Sequence, residues 1–265
     1  MIVAIRWGTL AWLAVLVAAY GARTWAPGRL AEAVFAALSG PYETSACWRT
    51  WLDHARGAAV ALGVLAGAAG WGARVTTWWR CRGIHVSLAL GLTALGLAAY
   101  GAGLLGLWYP ALFAVLLLVP GRAIIRSSAG FVRAARVVPS GGPAGIAATA
   151  GTVALLALYL GPALAPELGW DALTYHLRAP SHFLAAHRVY LLPYSPGSFY
   201  PFLAEMWSAV AMAFGGDAAA KLVNFGVLVL TASSLAAFGA ELGEAAAGRL
   251  AALLYVAIPA AGVLA

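Results

Sequence analysis

Asp171, Tyr175, His176, Arg178, His182 and His187 crowd into one short stretch of a chain in which only 9% of residues are Asp, Glu, Lys or Arg. Such a set contains a carboxylate able to take a proton, imidazoles able to pass one on, and a guanidinium able to hold an anion. Apolar runs flank it on both sides, where ionisable groups are costly and mark chemistry or transport. The residue types therefore point to chemistry at a membrane surface, with Asp171, Tyr175, His176, Arg178 and His182 as its candidate residues. Glu205 lies four residues into the next apolar segment. It either lines the same pocket, holds Arg178 or a His in place, or is a plain helix-end carboxylate. The spacings of 6 and 5 between His176, His182 and His187 match no standard metal pattern on one helix, so the metal question stays open.

An α-helix advances about 100° per residue. On that wheel Asp171, Tyr175, Arg178 and His182 share one stripe, while Leu173, Leu177 and Leu184 take the other side. The pattern predicts a short helix lying in the membrane interface, apolar face down, with Pro180 breaking it. A solvated interfacial helix without chemistry fits the same pattern.

The elements that must position this stretch follow from composition. The chain has 265 residues, is 63% hydrophobic, and has a mean hydropathy of +0.86. A soluble domain of this size has no use for so much apolar surface, and a bundle of membrane-spanning helices does. Eight hydrophobic segments are expected, at about 7–22, 57–73, 84–106, 108–125, 144–164, 201–215, 219–240 and 247–265, giving an all-α polytopic bundle of about eight spans. The first could be mistaken for a signal peptide, but the spans that follow favour an uncleaved helix. The connection 23–56, with Trp48, Trp51, Asp53 and His54, is expected to hold an interfacial helix.

The net charge is +7, carried by sixteen basic residues that are all Arg except Lys221. They are scattered between apolar runs rather than massed on a face, which argues against nucleic acid and for the positive-inside rule with anionic lipid as partner. Loops 74–83 and 121–142 contain Arg and no acid, so both are expected on the cytoplasmic side, with 165–200 outside. Two cysteines, Cys47 and Cys81, make neither a disulfide framework nor a metal site. Gly101-Ala102-Gly103-Leu104-Leu105-Gly106 matches a dinucleotide fingerprint only on paper. It sits inside a span with no strand before it and reads as helix packing, as does the pair Gly63 and Gly67.

From Gly169 onward the chain resembles bacterial membrane glycosyltransferases of the GT-C type, in the group related to the family-39 mannosyltransferases and the lipopolysaccharide core-sugar transferases. The resemblance rests on Asp171 followed by Tyr175-His176-Leu177, on the run Tyr194 to Pro201, and on Glu205-Met206. Gly248-Arg249-Leu250 and Pro259 add to it. It covers about residues 144–265, so that 1–142 becomes an N-terminal extension of four spans and 143–265 the N-terminal part of a GT-C core that ends early.

The resemblance implies transfer of a sugar from a polyprenyl-phosphate donor to a lipid, glycan or protein acceptor on the outer face of a bacterial inner membrane. Asp171 would act as base, and Arg178 and Arg188 would face the leaving phosphate. No cofactor is required, and a divalent cation is compatible. Glu241 and Glu244 would form a second acidic site if their loop is outside. A transporter component and a non-catalytic scaffold are the rival classes. Paired broken helices in internal repeats would favour the former, and tolerance to loss of Asp171 the latter.

Overall fold

The computed structural model describes residues 44–79, 83–124, 141–165, 167, 171–193 and 203–258. The expected first span, most of the connection after it, the tract 194–202 and the end of the last segment lie outside these residues. The chain forms two compact units, 1–51 and 52–265. Only 44–51 of the first is described, within the helix that begins at Thr44.

All regular structure among the described residues is helical: α1 Thr44–Trp79, α2 Ile84–Leu104, α3 Pro110–Leu118, α4 Gly142–Leu164, a π-helical turn Ala172–His176, α5 Arg178–Ala186, α6 Leu203–Glu241 and α7 Ala245–Val256. Among the described residues, four helical stretches are long and apolar enough to cross a membrane: Arg49–Thr77, Ile84–Leu104, Gly142–Leu164 and Leu203–Glu241. Leu62, Leu97, Ile146, Val153 and Leu158 stand exposed on them, as side chains facing lipid should.

Two expectations need correction. First, α1 runs unbroken from Thr44 into the span, so the helix at Trp48 and Trp51 is a continuation of the spanning helix rather than a separate surface piece. Second, the segment 108–125 is not one span. Nine residues of α3 reach only about 14 Å before the chain turns at Pro120-Gly121, about half the hydrocarbon thickness.

The division expected between 201–215 and 219–240 is present, for α6 is not one 39-residue rod. Gly216 takes φ 66 and ψ −162 within it. Trp207 Nε1 donates to Asn224 Oδ1 at 3.2 Å, although 17 residues of straight helix would hold them about 25 Å apart. The segment is a hairpin whose first arm, 203–215, folds back on its second, 217–241. The first arm is only about 20 Å long.

Close backbone approach sets the α1–α2 pair. A Cβ placed on Gly91 would strike the carbonyl of Ala68, and one on Gly72 the carbonyl of Ser87. The small-xxx-small register is therefore Ala68 and Gly72 against Ser87 and Gly91, with Thr76 Oγ1 and Ser87 Oγ 3.4 Å apart beside it. Of the pair singled out from sequence, Gly63 has open space and Gly67 meets Leu117 of α3. Within the paper fingerprint, Gly103 packs under Trp108 and Val189, while Gly106 has positive φ in the turn that ends α2.

The bundle has two distinct ends. Arg74 Nη2 donates to Pro120 O at 3.3 Å, which brings the two Arg-rich loops to a common end. Gly141, at the start of α4, faces Ala246 of α7, and the second arm of α6 runs alongside α1, from Ala218 against Gly57 to Gly226 against Leu65. Glu241 and Glu244 thus fall at the Arg-rich end. They lie away from Asp171 and form no second acidic site beside it. The opposite end gathers the ends of α2 and α4, the turn 105–109, and residues 171–193.

Candidate functional site

At this opposite end the chain leaves α4 through Lys221. Its ammonium, in a residue only 8% exposed, donates to Pro162 O and Ala165 O at 2.7 Å each and pairs with Glu167 Oε2 at 3.3 Å. The last carbonyls of α4, which a helix leaves without intrahelical partners, are thus capped by a cation, the sign that suits a helix C-terminus. Sequence reasoning missed this role. The available signal was that the only lysine of the chain sits in an apolar segment.

Four residues past Glu167 the backbone opens into a π-turn. Leu177 N donates to Ala172 O at 2.9 Å, a five-residue step. Such wide turns recur at functional sites, and this one decides which side chains meet. In an α-helix residues 171 and 176 would diverge by about 140°. Here the imidazole of His176 lies against the Asp171 carboxylate, Nε2 to Oδ2 at 3.2 Å. The α-helical stripe is overturned for the same reason: Tyr175 and Leu177 are both buried, while Leu173 and Asp171 are exposed. Tyr175 packs its ring at 4.6 Å from that of His176.

Pro180 stands in the first turn of α5, where its missing N–H has no partner to lose, and the expected division into two short pieces falls at Leu177, three residues before it.

The other face of His176 meets Glu205, Nδ1 to Oε1 at 2.6 Å. Glu205 lies in the first turn of α6, where the helix dipole favours a carboxylate. It is 3% exposed, and its Oε2 has no hydrogen-bond partner. Asp171, His176 and Glu205 form a row from an exposed carboxylate to a buried one, with imidazole between. The Glu205 contact is a hydrogen bond, and the Asp171 contact is a close approach of imidazole to carboxylate.

Of the residues expected at the site, the structure therefore unites Asp171, His176, Glu205 and, by ring contact, Tyr175. Arg178 and His182 instead face each other one turn apart on exposed α5, Nε to Nε2 at 3.4 Å. Arg188 lies over the Tyr190 ring at 5.8 Å.

The whole loop is clamped to the end of α2. Trp108 N donates to His187 O at 3.1 Å, His187 Nδ1 contacts Trp108 O at 3.0 Å, and Val189 N donates to Gly103 O at 2.9 Å. Tyr109 stacks on His187 at 4.3 Å. The indole of Trp108, fully buried, donates to Ala99 O at 2.7 Å and packs edge-on against Phe113 and Phe183. Among the described residues no three His, Cys, Asp or Glu are gathered to hold a metal ion.

No family model matches the sequence, and comparison with curated proteins and with solved structures found no significant relative.

Proposed function

We propose that this chain is an integral-membrane glycosyltransferase that moves a sugar from a polyprenyl-phosphate-linked donor to a lipid, glycan or protein acceptor, with Asp171 as its base. The observation that carries the reading is the exposed Asp171 carboxylate at the exit of an apolar helix, backed by His176 and the buried Glu205. The run Asp171, Tyr175-His176-Leu177 supports it by its resemblance to the GT-C loop.

In the reaction the acceptor O–H bond breaks and its proton passes to Asp171. The oxygen's electron pair forms the new bond to the anomeric carbon, and the sugar–phosphate bond leaves with its pair on the polyprenyl phosphate. Arg178 and Arg188, both exposed at this end of the bundle, supply charge-assisted hydrogen bonds to that phosphate. The reading places the site on the outer face of a bacterial inner membrane, with the Arg-rich end cytoplasmic.

The test is transfer of labelled sugar by the full chain in membranes that supply the acceptor, with and without EDTA to measure any need for a divalent cation. Asp171→Asn keeps the shape and removes the proton acceptor, so turnover should fall by roughly 10²–10⁴, the usual worth of general-base assistance. Arg178→Ala should weaken donor binding instead. Wild-type turnover in Asp171→Asn would exclude Asp171 as the base, and absence of transfer by the wild-type chain would favour a transporter component or scaffold.

A further inference from the structure

We infer that Glu205 is a positioning residue for Asp171, acting through His176; the inference rests on Asp171 being the base of the proposed transfer. The side chain of Asp171 is 69% exposed and makes no capping bond to its own turn. Its carboxylate is held by His176 Nε2. His176 is itself one-third exposed and is braced on one side by the Tyr175 ring and on the other by Glu205. The row is thus a two-link support that begins in the buried first turn of α6 and ends at an exposed carboxylate.

Two features mark Glu205 as more than filler. A carboxylate is a poor choice for a position 3% exposed, where an apolar side chain would pack without loss. And one of its oxygens has no partner while the other makes a 2.6 Å contact with a single imidazole nitrogen. Its hydrogen bonding is thus committed to orienting that ring. With Nδ1 engaged by Glu205, the ring is fixed with Nε2 3.2 Å from Asp171 Oδ2, and Oδ1 is left as the oxygen that receives the acceptor proton. A base so held keeps the alignment that a freely rotating carboxylate loses, and misplacement by about 1 Å costs up to about 100-fold in rate.

The experiment uses the full chain, labelled with ¹⁵N at its five histidines, in lipid nanodiscs. The short His176–Glu205 contact should give a far-downfield imidazole proton that disappears in Glu205→Gln and in His176→Gln and persists in Asp171→Asn. In the transfer assay Glu205→Gln should lower kcat by about 10- to 100-fold with an unchanged KM for the donor. It should cost nothing further in the Asp171→Asn background, because both changes disable one unit.

If Glu205→Gln does not fold, His176→Gln, at a half-buried position, cuts the same support and must reproduce the kinetic effect. A downfield proton that survives Glu205→Gln, or a loss that multiplies on top of Asp171→Asn, overturns the inference. A wild-type chain that shows the proton but transfers no sugar overturns the reaction, and leaves the support of Asp171 by Glu205 standing as geometry.

Discussion

Replacing Lys221 by methionine should destabilise the protein by about 3 kcal/mol, whatever reaction it performs. The ammonium makes three contacts, with Pro162 O, Ala165 O and Glu167 Oε2. Hydrogen bonds to a charged group are worth about 1.5–3 kcal/mol each, so the gross loss from the two carbonyls alone is about 3–6 kcal/mol. Methionine keeps the length of the stem and no longer buries a charge. That relief offsets part of the loss and leaves a figure at the lower edge of what breaking a buried pair costs, about 3–5 kcal/mol. For a chain of this size the change corresponds to a fall in melting temperature on the order of 10 °C, read by tryptophan fluorescence in detergent. Glu167→Gln leaves both carbonyl bonds in place and should cost less. Hydrogen exchange should rise first at the end of α4 and in the turn beyond it, because Lys221 ties those two together. A Lys221→Met protein that melts with the wild type would refute the capping role.

Gly91→Val should separate α1 from α2, since even a methyl at this position meets the Ala68 carbonyl; a loss of folded yield is expected, whereas Gly63→Ala, with open space around it, should be neutral in the same assay. Single cysteines at Ser181 and at Gly83, both exposed, in a protein lacking Cys47 and Cys81, should label with an impermeant reagent from opposite sides of the membrane, and labelling from one side would refute the assignment of the two ends.

The apolar runs and the helical class were legible in the sequence because hydropathy over about 20 residues depends on composition alone. The span count was not. The break in the run Leu203 to Glu241 was legible, since Gly215-Gly216-Asp217 parts the two apolar segments, but nothing there announces that the first arm folds back on the second. The membership of the site was half legible. Asp171 and His176 stood out as rare ionisable residues, but their contact depends on a five-residue step that no α-helical wheel contains, which is why Tyr175 was grouped with Asp171 and Leu177 with Leu173, although one of each pair is buried and the other exposed. Glu205 was open to three readings from sequence, since its partner is 29 residues away and only tertiary packing chooses among a pocket wall, a helix end and a support for histidine. Lys221 carried its own signal, and its partners did not, because two of them are backbone carbonyls.

The fold-back at Gly216 also decides how a buried acid comes to lie in an apolar bundle. The first arm begins beside His176 and turns at Gly216, five residues before Lys221 meets the end of α4. The arm lies along the second one and is about 20 Å long, so the Glu205 end and the turn at Gly216 stand that far apart along the bundle. Without the break, residue 205 would sit at the far tip of one long rod, remote from the residues it faces. With it, the acid is carried on a helix start, where the backbone N–H groups offset part of the cost of placing a carboxylate among apolar side chains.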